Sequence, residues 1–207
     1  IATGDYTVLF AFPTGYKDAF DYGAGFVAPA QIYPGAPPAD DVYWAFLYHE
    51  VRSTWDLIGV NLRTSALVQP VSPLHRAAGQ CSDTLCLQKP IGFVASINSP
   101  GLAYGLDIDT VDGAAGFQVA ELNLSTSAVR PIGKVPARQN FDLGLHFLAT
   151  PWPGLPWGPA DELYYTLLAG GEEAPTIYGV NVTRGGDLVS ADTPWPTGAW
   201  PSFAHWL

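Results

Sequence analysis

The sequence lacks methionine altogether, and only 14% of its 207 residues are charged. Met, Lys, Arg and Glu favour helices, so their scarcity, together with 22 Gly and 19 Pro, favours short strands joined by turns. No stretch of about 12 residues carries apolar residues at helical spacing without a Pro or Gly inside it. Apolar runs of roughly 20 residues, which a membrane-spanning helix needs, are also missing. We therefore expect an all-β chain without a membrane span.

Basic residues are the second shortage. Nine Lys and Arg stand against 19 Asp and Glu, which gives a formal charge of −10 and a pI near 4.5. The three lysines, Lys17, Lys89 and Lys134, are scattered along the chain. A phosphate-binding surface needs clustered Lys and Arg. The sequence therefore predicts no nucleic-acid partner.

An internal repeat is the most informative feature that is present. The segment 38–44, Pro-Ala-Asp-Asp-Val-Tyr-Trp, returns at 159–165 as Pro-Ala-Asp-Glu-Leu-Tyr-Tyr. The motif Gly-Phe-Val-Ala at 25–28 is repeated at 92–95 and returns as His-Phe-Leu-Ala at 146–149. Because an internal repeat indicates that a fold is built from similar units, we divide the chain into repeating units.

The repeating unit contains four short apolar segments, which we name strands A, B, C and D. An Asn between aliphatic residues ends each strand C, and small polar residues or Gly follow it, as a tight turn requires. We predict a single domain over 1–207 with three units, approximately 21–71, 88–133 and 141–190. Two terminal strands, 5–12 and 203–207, are predicted outside these units.

A four-stranded meander that recurs in this way resembles the blades of β-propellers. The resemblance implies an all-β, propeller-like fold of three four-stranded repeats of about 60 residues each. A β-sandwich and an open stacked β array are the alternatives. Three units and two terminal strands do not determine how a propeller ring would close. Unpaired terminal strands could also join copies of the chain into a homo-oligomer.

Several features favour an extracellular protein. Cys81 and Cys86 have neither the number nor the spacing of a zinc site, and we predict a disulfide between them. Asn123-Leu-Ser and Asn181-Val-Thr are N-glycosylation sequons. The chain begins at Ile1, which suggests that a signal or pro-segment has been removed. We therefore expect a secreted glycoprotein.

One acidic segment resembles a calcium-binding loop. Asp107, Asp109 and Asp112 precede Gly113 between strands B and C of the second unit. Calcium prefers several carboxylate and carbonyl oxygens around a sharp turn. One residue is inserted relative to the Asp-x-Asp-x-Asp-Gly pattern, and a solvated acidic turn is the alternative interpretation. Calcium is therefore a weak candidate cofactor.

Motifs of catalysis are missing from the sequence. It contains no Gly-x-Ser-x-Gly elbow and no His-Glu-x-x-His, and its four histidines stand in four different contexts. A carboxylate pair of the glycosidase kind would require the fold to bring two acidic residues together. Asp40 and Asp161 occupy equivalent places in separate units, which favours a structural role. The sequence therefore favours a non-enzymatic protein.

Aromatic residues give the strongest functional indication. The predicted ligand-binding residues lie in Pro-rich loops and near the C-terminus: Tyr33, Trp152, Trp157, Trp195 and Trp200. Prolines stiffen such loops, and rigid indoles suit recognition of proteins or sugar rings. The sequence predicts a secreted binding or assembly module with a glycan or protein partner. A carbohydrate-active hydrolase or lyase, and a subunit of an extracellular filament or coat, are the alternatives.

Overall fold

The computed structural model describes residues 8, 10–17, 25–29, 41–52, 54–76, 90–111, 114–135, 141–151, 157–158, 160–170 and 173–190. Every regular element in these ranges is a strand, and none of them contains a helix long and apolar enough to cross a membrane. The strands are β1 (Tyr16–Lys17), β2 (Gly25–Pro29), β3 (Asp41–His49), β4 (Thr54–Asn61), β5 (Leu67–Pro73), β6 (His75–Arg76), β7 (Pro90–Ala95), β8 (Leu102–Val111), β9 (Ala114–Asn123), β10 (Ala128–Val135), β11 (Phe141–Ala149), β12 (Leu163–Gly170), β13 (Glu173–Asn181) and β14 (Asp187–Ser190).

The strands form three separate antiparallel meanders. Sheet I has the order β2-β3-β4-β5, sheet II the order β7-β8-β9-β10, and sheet III the order β11-β12-β13-β14. These are strands A to D of the three predicted units, so the prediction of three four-stranded repeats is confirmed. The sequence did not indicate β1, which adds to β3, or β6, which pairs in parallel with β10.

The three sheets share one register between strands B and C. Val42 pairs with Asn61 in sheet I, Leu102 with Asn123 in sheet II, and Leu163 with Asn181 in sheet III. This shared register follows from the sequence, because the Asn turn determines where each strand C ends. Structurally equivalent positions can therefore be compared across the sheets.

The first apolar cluster fills the space between sheets I and II. Phe93 of sheet II contacts two rings of sheet I, with centroid distances of 4.9 Å to Phe46 and 6.4 Å to Phe26. Trp44 and Leu57 are fully buried in the same cluster. Full burial of one such side chain contributes about 2 to 3 kcal/mol. This cluster joins sheet I to sheet II.

A second cluster joins sheet II to sheet III. Leu106, Phe117 and Val119 of sheet II face Tyr164 and Val180 of sheet III, and all five are buried. The A strands are also neighbours in succession, since β2 contacts β7 and β7 contacts β11. Sheets stacked face to face with adjacent A strands give the propeller-like arrangement that the sequence predicted.

The outer faces of sheets I and III carry their own apolar clusters. On sheet I, Ile58 and Val60 pack with Phe10 and Phe12 from the N-terminal segment. Of the predicted terminal strand 5–12, the structure describes Val8 and residues 10–12, and these have no strand geometry. The predicted strand 203–207 lies outside the described residues.

The two copies of Gly-Phe-Val-Ala differ in register. Ala28 pairs with Val42, but Ala95 pairs with Ala103, one residue beyond the equivalent Leu102. The shift follows an irregularity between Ile91 and Val94, where Gly92 has a φ of +57°. A one-residue shift turns every side chain to the opposite face of a sheet. Phe26 and Phe93 therefore enter the same cluster from opposite sides.

Each C-to-D turn is shaped by the side chain of its Asn. The Oδ1 atom of Asn61 accepts hydrogen bonds from the N–H groups of Arg63 and Thr64, both at 2.9 Å. Asn123 and Asn181 make the same pair of bonds two and three residues ahead, at 3.0 to 3.1 Å. Asparagine suits this position because its side chain can bond the backbone of a following turn.

The turn of each following sheet also meets strand D of the preceding sheet. Ser127, in the turn of sheet II, lies 2.7 Å from Ser72 of β5 through the two hydroxyl oxygens. In sheet III, Gly186 has a φ of +102° and lies against the Ile132 carbonyl of β10, where a β-carbon would collide. Each Asn turn therefore connects strands C and D of its own sheet, and the turns of sheets II and III also contact strand D of the preceding sheet.

We expect Asn123→Ala to lower the free energy of unfolding by about 1 to 3 kcal/mol, because two turn N–H groups lose their acceptor. Asn123→Asp retains the acceptor oxygens on a partly exposed side chain and should cost less than half as much. Urea unfolding of the two variants and the parent chain measures the difference. Equal stability of the Ala variant and the parent would show that the side-chain bonds do not hold the turn.

Candidate functional site

The A-to-B loops and the C-to-D turns emerge at the same end of each sheet, because the four strands alternate in direction. The backbone N–H that follows each Asn binds the carbonyl of the residue that precedes the strand B partner of that Asn. These bonds join Leu62 to Asp41, Leu124 to Gly101, and Val182 to Glu162, at 2.9 to 3.0 Å. We call this the loop end. It carries the predicted Trp- and Pro-rich loop of sheet III.

Asp161 fixes the base of that loop. Its carboxylate accepts two bonds from the Arg184 guanidinium, from Nε at 3.1 Å and from Nη2 at 2.9 Å. It also accepts the N–H of Gly158 at 3.1 Å. Hydrogen bonding from Arg184, supported by Gly158, holds the pKa of Asp161 below its usual value. The ion pair between Asp161 and Arg184 therefore fixes the loop where it joins strand B, and Asp161 has a structural role.

Glu162, the next residue, links two A-to-B loops. It is buried, and its carboxylate accepts the Ser96 hydroxyl at 2.5 Å and the Ile97 N–H at 3.1 Å. The Ser96 oxygen in turn accepts the N–H of Ser99 at 2.8 Å. A charged acceptor makes hydrogen bonds roughly twice as strong as neutral ones. Glu162 therefore holds the loops of sheets II and III together.

Trp157 is the predicted ligand-binding residue that the structure describes. It is half-buried and packs on the outer face of sheet III against Leu163, Tyr165 and Ile177. Its indole is thus a fixed part of the loop base. The other predicted ligand-binding residues lie outside the described residues: Tyr33, Trp152, Trp195 and Trp200.

The side chain of His146, a residue of strand A in sheet III, lies between that strand and strand A of sheet II. Its Nδ1 is 3.0 Å from the Tyr164 hydroxyl and 3.1 Å from the Thr166 hydroxyl. Tyr164 donates to the Gly92 carbonyl across the sheets at 3.0 Å, and a β-carbon at Gly92 would collide with the imidazole. Burial lowers the pKa of His146 to about 4. His146 is therefore a neutral packing residue.

Two further carboxylates are engaged in structural contacts. Glu121 pairs with Arg130 through two bonds, at 2.9 and 2.7 Å, and accepts the Tyr104 hydroxyl at 3.3 Å. Burial, followed by the charge of Glu121, raises the pKa of Tyr104. The fully buried Asp56 accepts bonds from Arg52 and Tyr16, both at 2.7 Å.

The calcium candidate is changed by the observed strand bounds. β8 extends to Val111, so Asp107 and Asp109 lie within a strand, paired with Gln118 and Gly116, rather than in a loop. Asp112 lies outside the described residues. Within the described ranges, no group of three His, Cys, Asp or Glu side chains could hold a metal ion. Because Asp112 is not among the described residues, the calcium candidate stays a prediction.

The remaining predicted sites differ in accessibility. Cys81 and Cys86 lie outside the described residues, so their disulfide stays a prediction. Asn123 is half-buried, whereas Asn181 is fully buried.

Sequence reasoning missed the partners that give the loop end its shape. Ser96 lies in the second unit, and Arg184 lies in the Asn turn of the third unit, where sheets I and II have Thr64 and Thr126. Glu162 was visible as part of the echo of 38–44, but its contact with Ser96 spans 66 residues. Such a contact depends on how two sheets pack, and a repeat pattern carries no signal for it.

We expect Asp161→Asn to lower the thermal midpoint at neutral pH, because it removes the charge that pairs with Arg184. The low folded-state pKa of Asp161 stabilises the fold above the ordinary pKa of Asp, near 4, and this stabilisation is lost as the pH falls. The variant should therefore show a flatter decline in acid. Thermal melts from about pH 7 to pH 3 test this, with Asp41→Asn, at an exposed position, as the control. If the thermal midpoint of Asp161→Asn fell in acid as steeply as that of the parent chain, the stabilising ion pair between Asp161 and Arg184 would be contradicted.

His146 predicts a second pH dependence. Its pKa is about 4 in the fold, against 6.5 when unperturbed, so the unfolded state binds the proton first as the pH falls. Between about pH 7 and pH 5 the fold should lose about 2 kcal/mol from this group. His146→Gln should remove that loss, whereas His75→Gln, at an exposed position, should retain it. Urea unfolding at several pH values measures the slopes, and an unaltered slope in His146→Gln would refute the assignment.

Comparisons of the chain with protein-family models, with curated proteins and with solved structures give no match. The function therefore has to be argued from the residues of the loop end.

Proposed function

We propose that the protein is a secreted binding module that recognises a glycan or protein partner through its Trp- and Pro-rich A-to-B loops. The observation that carries the proposal is the fixed base of the sheet III loop. Asp161, Arg184 and Gly158 clamp the point where the loop joins strand B, and Trp157 is seated on the sheet below.

A fixed loop base favours recognition for a thermodynamic reason. Ordering a mobile loop on binding costs free energy, so a loop that is already held in place loses less of its contact energy. The sequence of residues 151–157, Pro-Trp-Pro-Gly-Leu-Pro-Trp, is rich in Pro, whose ring fixes φ, and in Trp, whose side chain has few rotatable bonds. An indole in such a loop offers a broad apolar surface for a sugar ring or an apolar side chain.

The charged groups of the loop end favour binding over acid-base catalysis. Asp161 is ion-paired with Arg184, and Glu162 is bound by Ser96 and the Ile97 N–H. A glycosidase needs two carboxylates about 5 to 10 Å apart that face a shared cleft. The two loop-end carboxylates of sheet III, Asp161 and Glu162, are engaged in holding loops, so this pair does not support the alternative of a carbohydrate-active enzyme.

The test compares substitutions at the two ends of the sheets. Trp152→Ala alters the loop of sheet III, whereas Val51→Ala alters a residue that is 90% exposed in the β3–β4 turn, at the opposite end. Binding is screened on a glycan array and on immobilised polysaccharides, and then with cross-linking to secreted proteins. We expect Trp152→Ala to weaken binding of any ligand found by more than about tenfold, as truncation of an aromatic hot spot does.

The Val51→Ala variant should bind as the parent does. Trp157→Phe is a third variant, which retains an apolar ring on sheet III while it changes the indole. Equal affinity of the parent and Trp152→Ala for the ligand would contradict the assignment of the binding site to this loop. Loss of binding in Val51→Ala alone would instead place the binding site at the opposite end of the sheets.

A further inference from the structure

The two sequons occupy the same turn position in sheets II and III, but they differ in exposure. Asn123 is half-buried, and Ser125, the third residue of its sequon, is exposed. Asn181 has an exposed fraction of 0%. Asn61 of sheet I is 3% exposed and has Arg63 in place of the Ser or Thr that a sequon requires. The three turns thus form a matched set.

The residue that precedes the strand B partner of the Asn differs among the three turns. This residue accepts the N–H that follows the Asn, and it is Asp41 in sheet I, Gly101 in sheet II and Glu162 in sheet III. Gly101 has no side chain to extend over its turn. In sheet III the turn is tied further, because Thr183 accepts the Glu162 N–H at 2.9 Å and Arg184 pairs with Asp161. The turn of sheet II lacks both of these side-chain ties.

The hydrogen bonds of Asn123 leave its amide nitrogen out of the turn. The Oδ1 atom accepts the Ser125 N–H at 3.0 Å, the Ser125 hydroxyl at 2.7 Å and the Thr126 N–H at 3.1 Å. An N-linked sugar is attached to Nδ2, and the amide retains its carbonyl oxygen. The bonds that shape the turn therefore remain available after modification.

We propose that Asn123 is an N-glycosylation site of the folded protein and that Asn181 carries no glycan in it. The inference rests on the proposed secretion of the protein. The donor is a glycosyl diphosphate. A bond forms between its anomeric carbon and Nδ2, the bond from that carbon to the diphosphate oxygen breaks, and the diphosphate leaves with the electron pair. The displaced amide proton passes to a base of the transferring enzyme.

Burial excludes the sugar at Asn181 even if transfer precedes folding. A glycan on this side chain would have to enter a site where Asn181 is 0% exposed and the following Val182 is 5% exposed. Burial of hydroxyl groups without hydrogen-bond partners is unfavourable, because they lose their bonds to water. A chain modified at Asn181 cannot close this turn against Glu162, and it is lost from the folded, secreted fraction.

The Asn123 glycan has a defined place in the molecule. It stands at the loop end over sheet II, whose own A-to-B loop, residues 96–101, is short and contains no aromatic residue. A hydrated glycan there covers the middle sheet and leaves the Trp-rich loop of sheet III to the ligand.

Site occupancy tests the proposal directly. The full chain is expressed behind a secretory leader in eukaryotic cells, and the folded secreted protein is digested and treated with peptide N-glycosidase in heavy-oxygen water. Mass spectrometry then reads which asparagines have become labelled aspartates. We expect the label at Asn123 and none at Asn181.

Two variants serve as controls. Ser125→Ala destroys the sequon but retains the Asn123 oxygen for the turn, and it should abolish the label without loss of secretion. Arg63→Thr completes a sequon at the buried Asn61, which should stay unlabelled in the secreted protein. An unlabelled Asn123, or a labelled Asn181 or Asn61 in folded protein, would overturn the proposal. Because the leader enforces secretion, and ligand binding can be measured on unglycosylated protein, this outcome is independent of the test of function.

Discussion

The fold depends on the burial of sheets that are apolar on both faces. A four-stranded sheet alone would leave one or both of these faces in water, at a cost of about 25 cal/mol for each Å² of apolar surface. Sheet II solves this by lying between its neighbours, with Phe93 directed to sheet I and Leu106 to sheet III. The outer face of sheet I is covered in part by Phe10 and Phe12 of the N-terminal segment.

Polar contacts at the loop end then set how the sheets meet. Asn turns satisfy their own backbone, and Ser127 and Gly186 fit against strand D of the preceding sheet. The carboxyl group of Glu162 is buried, and its burial is tolerated because two donors face it. The same contacts that join the sheets also hold the described bases of the A-to-B loops of sheets II and III, so the stability of the stack and the geometry of the proposed site share their residues.

Sequence reasoning was most successful where the signal is local. Short apolar segments, Asn at the end of strand C and the echo of 38–44 predicted four strands in each of the three units, and the structure has them. It failed for β6, because a two-residue parallel pair with β10 has no sequence signature. The acidic segment that ends at Asp112 was expected to lie between strands B and C, whereas β8 extends to Val111, because acidic residues alone do not mark where a strand ends.

The amino-acid sequence by itself determined the number of units, the order of their strands and the Asn turns, because these follow from neighbours within a few residues. Only the tertiary structure decided which face of each sheet turns toward which neighbour. The identical Gly-Phe-Val-Ala segments show the reason. A shift of one residue at Gly92 reverses the direction of the second copy, so that Phe26 and Phe93 meet in one cluster. In the same way, sheet packing decided that Asn123 is accessible while Asn181, in an equivalent turn, is buried.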